Sequence, residues 1–163
     1  MLSHPRGNLI QNPGFELALE FWNCPQSTPS LIRSNVAATA RFSHSGVGSA
    51  LLGDNGTEFV SAIYQDVPVS PGNTYELNFN VAGLAECTVN LVSEVHWLDD
   101  DNMDLGTGLA IVVNAISSAC DGQWVLYTGI TEEAPLGARR ARVSFTSSGD
   151  AVLLDDILFR KIE

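Results

Sequence analysis

Two acidic residues of this chain stand where a carboxylate is costly. Glu16 lies between Phe15 and Leu17 in Asn-Pro-Gly-Phe-Glu-Leu (12–17), and a charge held unpaired among apolar neighbours is unfavourable. Near the other end, alternation through Leu153, Asp155, Ile157 and Phe159 places Asp155 with apolar residues. Leu154, Asp156 and Leu158 then point the other way. A carboxylate on a core-facing side needs a cation or hydrogen-bond donors. Calcium, a hard ion, takes about six to eight oxygens from carboxylates and backbone carbonyls. Ser-His-Ser-Gly (43–46) ends in a glycine that frees carbonyls to turn toward a metal, as do Asn12 and Gly14. A metal-free clasp also fits, with Glu16 capping local backbone amides and Asp155 bonding a neighbouring loop.

Catalytic chemistry has less to work with. His4 lies near the N-terminus, His44 in the Ser-His-Ser-Gly turn and His96 beside Trp97, and none stands in a His-x-x-x-His or Glu-x-x-His spacing. There is no Gly-x-Ser-x-Gly elbow and no glycine-rich phosphate loop. No two carboxylates stand in a context that marks the flanking pair of a glycoside hydrolase. The acidic run Leu98–Gly106 fails as a helix-loop-helix calcium loop. Counted from Asp99, its sixth residue is Asp104 instead of glycine and its twelfth is Ala110 instead of glutamate. It reads as a solvated hairpin loop, and the chain reads as no enzyme.

The elements that must position these residues are strands. Tyr75, Leu77, Phe79 and Val81 alternate with Glu76, Asn78 and Asn80 after a Ser-Pro-Gly-Asn turn, the period of a half-buried strand. Similar runs recur nearly end to end, with Ser147-Ser148-Gly149-Asp150 read as a hairpin turn and no convincing helical stripe. Eight to ten such strands in 163 residues predict an all-β, two-sheet antiparallel sandwich: an arm over 1–7, then one domain over 8–163. Eight Lys+Arg against 19 Asp+Glu give a net charge of −11, which argues against nucleic acid and anionic membrane surfaces. That charge suits neutral sugars and divalent cations. No apolar run approaches a membrane span, and none follows Arg6 as a signal peptide would. Of the three cysteines, Cys87 reads as a core residue, while Cys24 and Cys120 lie in loop-like contexts open to bridging.

Three stretches together carry a resemblance: Asn8–Glu16 (NLIQNPGFE), Val67–Ala82 (VPVSPGNTYELNFNVA) and Ala141–Phe159 (ARVSFTSSGDAVLLDDILF). They resemble the jelly-roll carbohydrate-binding modules, galactose-binding-like in fold, that are attached to many bacterial glycoside hydrolases. A narrower likeness rests on RFSHSGVGSALLGD, YQDVPVSPGNTYELNFNVA, LDDDNMDLGTGL and LLDDILF in that order. It is to the N-terminal head domain of collagen-like triple-helix-repeat proteins of Firmicutes, which are associated with spore or cell surfaces. The chain carries no Gly-X-Y repeat, so only the head domain transfers.

The resemblance implies a jelly-roll β-sandwich in which a structural calcium pins the first strand to the last. Its ligands would be Glu16 and Asp155, with Asn12 and Ser45 taking part. Sugar binding in such modules uses aromatic rings and polar side chains, for which Glu94, His96, Trp97 and Tyr127 are the candidates here, with Tyr64 and Trp124 beside them. Trp97 also shares a face with Val95 and Leu91, as a core residue would, and Trp22 and Trp124 read as core. Thr88, Asn90, Val92, Glu94 and His96 form a polar strip opposite. Two functions follow. One is a non-catalytic module that binds a carbohydrate or surface polymer. The other is a structural protein of a spore or cell surface, possible as a homotrimer through Ile111, Val113 and Ala115.

Overall fold

The computed structural model describes residues 7–24, 36–39, 42–53, 60–83, 90–114, 123–148 and 151–162. Among them run nine strands: β1 (Val36–Thr39), β2 (Ser49–Leu52), β3 (Ser61–Pro68), β4 (Tyr75–Gly83), β5 (Leu91–Leu98), β6 (Asp104–Val113), β7 (Val125–Ile130), β8 (Arg140–Ser147) and β9 (Val152–Lys161). They make two antiparallel sheets, β1-β2-β9-β4-β7 and β3-β8-β5-β6. Alternation drives this pairing, because each strand turns one apolar set toward the other sheet. Leu91, Ser93, Val95 and Trp97 of β5 are buried while Val92, Glu94 and His96 stay half-exposed, and Tyr75, Leu77, Phe79 and Val81 of β4 are buried as the sequence predicts.

The chain crosses between sheets more often than the sequence suggests. β8 pairs with β3 and β5, whereas β9 pairs with β2 and β4, so residues 148–151 connect the two sheets and close no hairpin. The turn after Val69 likewise carries the chain from β3 in one sheet to β4 in the other. Asp99–Met103 is a true hairpin loop between β5 and β6. The Asp99 carboxylate accepts from the amides of Asp101 and Met103, and Asn102 takes the left-handed backbone (φ 64°).

One irregularity shifts the predicted faces of β9. Opposite β4 the register jumps from Asn80↔Asp155 to Asn78↔Leu158, so β9 carries one extra residue, and Asp156 sits there at φ 48°. A bulge of this kind reverses the in-out phase of a strand. Val152 and Leu154 therefore join Ile157 and Phe159 in the core, paired across to Leu52 and Ala50 of β2. Asp155 does not share the face of Ile157 and Phe159. It stands on the outer side of the sheet with Asn80, yet is fully buried, because the segment before β2 folds over it.

An aromatic column fills the space between the sheets. Phe15 stacks on Trp22 (5.4 Å between ring centroids), Trp22 meets Phe145 edge-on, Phe145 meets Phe79, and Phe79 stacks on Tyr127. Tyr75 stacks on Phe159 and leans on Trp97. The N-terminal segment is sewn across one open side. Asn8 accepts from the Phe159 amide and donates to the Ile157 carbonyl, while the Gln65 carboxamide closes two hydrogen bonds with the backbone of Gln11. Cys24 is a free, half-buried thiol packed on the core. Cys87, Cys120, Thr88, Ala115 and residues 1–6 lie outside the described residues.

Trp97 needs a glycine above it. A Cβ at Gly108 would stand 2.6 Å from the indole ring. We expect Gly108→Ala to cost about 1–3 kcal/mol by overpacking, read as a lowered melting temperature. A variant melting with the wild type would contradict this packing.

Candidate functional site

Two constellations of polar side chains stand out, one beneath the segment 44–48 and one on the outer face of the four-stranded sheet.

The first holds the residues expected to bind calcium. Asp155 Oδ2 accepts from the amides of His44 (2.8 Å) and Ser45 (3.2 Å), and Oδ1 from the amide of Asp156 (2.8 Å). Burial, then the charge of Asp156, pushes the Asp155 carboxyl up to about 6 against the pull of these three amides. Glu16 accepts from the amides of Val47 (2.9 Å) and Gly48 (3.0 Å). Asp156, exposed by the bulge, takes the Ser45 hydroxyl (2.7 Å) and His44 Nδ1 (2.6 Å), and the His44 ring meets Trp124 edge-on. Gly46 runs left-handed (φ 61°) directly over Glu16, where any Cβ would collide with the carboxylate.

Asn12 works differently. Its buried carboxamide donates to the carbonyls of Ala18 and Glu20 and accepts from the Leu17 amide, while its own carbonyl accepts from Trp22 Nε1. It is the hub of the 12–22 turns. The structure thus brings Glu16, Asp155 and Ser45 to one loop and gives Asn12 a separate task. The groups directed at the two carboxylates are amide hydrogens, three on Asp155 and two on Glu16, against about four acceptor sites each. Among the described residues no three His, Cys, Asp or Glu side chains are placed to hold a metal together.

The second constellation is built by strand register. Tyr64, Ser144, Glu94 and Ala110 lie in one row across β3-β8-β5-β6, and Asp66, Arg142, His96 and Thr107 in the next. The Arg142 guanidinium makes two parallel bonds to the Asp66 carboxylate (2.8 Å each) and lies 4.2 Å from the Tyr64 ring centroid. His96 bridges two carboxylates, Nδ1 to Asp104 (2.8 Å) and Nε2 to Glu94 (3.1 Å). Burial opposes charge on His96, but hydrogen bonds to Glu94 and Asp104, together with their charges, prevail and raise its pKa. Asp104 is held low by the Gly106 amide and by His96, and Arg142 is raised by Asp66. The face therefore offers fixed donors beside fixed acceptors.

Glu94 and His96 stand on this face as expected. Trp97 does not: it is 2% exposed, locked between Gly108 and Tyr75, and no ligand can stack on it. Tyr127 also points inward, its ring on Phe79, and its hydroxyl finds no partner among the described residues. Ile111 and Val113 turn toward the core, so neither offers the contact surface expected of them. Val112 between them is the exposed residue. Asp66, Arg142 and Asp104 were not singled out from sequence. Alternation in Arg-Arg-Ala-Arg-Val-Ser-Phe (139–145) does put Arg142 opposite Val143, but nothing local says that Asp66 is its neighbour.

No family model matches the chain, and no curated protein matches its sequence significantly. Solved structures do. The chain superimposes on TmCBM61, solved with β-1,4-galactotriose, at TM-score 0.68 and 19% identity, covering 95% of this chain and 99% of that one. It superimposes on a family 16 carbohydrate-binding module at 0.65 and 20%, covering 96% and 100%. A third match, the enzymatically active domain of bacteriophage CBA120 tailspike protein 4, gives 0.74 and 16% over 95% of this chain; the chain spans 21% of that protein. These likenesses show the fold. The chain is a jelly-roll β-sandwich.

The raised pKa of His96 has a measurable consequence. The folded state holds this proton more tightly than the unfolded state, so the stabilisation is complete below about pH 6.5. It is lost as pH rises through the raised value. We expect NMR titration to place His96 above the ordinary histidine range and Glu94→Gln to lower it. A midpoint at or below the ordinary value would contradict the bridge.

Proposed function

We propose that the chain is a non-catalytic module that binds a neutral glycan along the outer face of the four-stranded sheet. The observation that carries this reading is the double row of fixed polar groups, Asp66, Arg142, His96 and Glu94, on a fold that covers whole carbohydrate-binding modules. Vicinal hydroxyls both donate and accept. The guanidinium N–H groups of Arg142 not spent on Asp66 supply donors, and the outer oxygens of Glu94 and Asp104, held in place by His96, supply acceptors. Because the ion pairs hold these side chains in place before a ligand arrives, less rotamer freedom is lost on binding. The net charge of −11 disfavours an anionic polymer.

We expect Arg142→Ala and Glu94→Ala each to weaken binding to a soluble polysaccharide roughly tenfold, about 1.4 kcal/mol. Affinity electrophoresis would measure it. Unchanged migration of both variants, or cleavage of the polysaccharide by the protein, would sink the proposal.

For the clasp we propose that the amides of 44–48 suffice to hold Glu16 and Asp155. Calcium, which the resemblance implies, is the competing proposal, since it would claim the same carboxylate oxygens. A melting temperature unchanged between calcium and chelator is expected; a clear drop in chelator would favour the ion.

The second reading, a structural protein of a spore or cell surface, draws support from exposed apolar side chains on one edge strand of each sheet: Val112 on β6, and Leu126 and Ile130 on β7. Light scattering that returned a trimer, dispersed by Leu126→Glu, would favour it over the independent module.

A further inference from the structure

A cleft of about 540 Å³ opens on the side of the molecule where the N-terminal turns meet β9 and the Ser45–Gly46 loop. The polar sheet face does not contribute to it. Its apolar lining includes Leu17, Phe21 and Leu158, and its polar lining includes Gln11, Glu16 and Asp156. Leu17 and Phe21 are 47% and 49% exposed, unlike the other aromatics near the N-terminus, Phe15 and Trp22, which are buried.

The turns that present Phe21 are conformationally costly. Asn12, Phe15, Ala18 and Phe21 all take left-handed backbone, with Phe21 at φ 71°, a region that a bulky side chain avoids. Four turn hydrogen bonds, in which the amides of Phe15, Ala18, Glu20 and Trp22 donate to the carbonyls of Asn12, Phe15, Leu17 and Leu19, and the Asn12 carboxamide hold them. The result is an aromatic ring kept in solvent at the wall of a concave site. The Gln11 side-chain carboxamide in the lining has no partner among the described residues, whereas the Gln11 backbone is fixed by Gln65.

We propose that this cleft is a second binding site for a neutral sugar chain, distinct from the sheet face. This inference rests on the reading of the chain as a glycan-binding module. A pyranose has one apolar face and a rim of hydroxyls. The ring of Phe21 and the side chain of Leu17 match the former; the Gln11 carboxamide and the spare lone pairs of Glu16 and Asp156 match the latter. The two carboxylates exclude an anionic ligand, and the volume lies within the range of small-molecule sites.

Phe21→Gly separates ligand contact from folding, because glycine accepts the left-handed backbone while removing the ring. Gln11→Ala removes only an exposed, unpartnered group. The probes are xylohexaose and β-1,4-galactotriose, titrated by calorimetry into the full chain, wild type and variants. We expect two binding events for at least one probe. Phe21→Gly should weaken one of them at least fivefold, with a melting temperature unchanged or raised, and Gln11→Ala should weaken the same event. Arg142→Ala should weaken only the other. A single event lost in Arg142→Ala and untouched by Phe21→Gly would overturn the second site and leave the sheet face standing. No heat or shift with either probe would overturn both.

Discussion

The structure depends on where a buried carboxylate finds its donors. Asp155 has no solvent to stabilise it, and three backbone amides, two of them from the segment before β2, take that place. Satisfying this one group fixes much else. It draws His44 and Ser45 down onto β9, which sets Val47 and Gly48 to cap Glu16, which in turn anchors the 12–22 turns. The extra residue at Asp156 is the enabling step. It lets one strand bury apolar residues on the core side above and below the bulge while presenting two adjacent carboxylates to the loop outside.

The sheet face has the opposite character. Its polar groups are open to solvent, and they satisfy one another: Asp66 with Arg142, and His96 with Glu94 and Asp104. Such exposed pairs add little to stability, so their value lies in geometry. They hold charged groups still, at heights and spacings set by strand register. Eight aromatic rings, by contrast, serve the interior between the two sheets. A ligand on this face would be held chiefly by hydrogen bonds, with Tyr64 already covered by Arg142.

Much of this was legible in the sequence, and what was not has a common cause. Period-two alternation gave the strands of β4 and β5 and the polar strip with Glu94 and His96, because those strands are regular. It misassigned the face of Asp155, since a bulge is decided by the partner strand and the loop above, not by local pattern. Glu16 and Asp155 were recognised as needing partners, but sequence could not rank a cation against backbone amides, because both offer a carboxylate what it lacks. The hairpin assigned to 147–150 failed for a topological reason: a turn signal does not say to which sheet the next strand returns. Arg142 was missed because its partner Asp66 is distant in sequence and joined only by register. Phe21 was missed because left-handed backbone at a phenylalanine has no sequence signature.

The most direct test is to map, by amide chemical shifts, where a neutral oligosaccharide such as xylohexaose lands on the isotopically labelled chain. We expect shifts concentrated at Tyr64, Asp66, Glu94, His96 and Arg142 on the outer face of the four-stranded sheet. Shifts absent from all five, with saturable binding elsewhere or none at all, would contradict it.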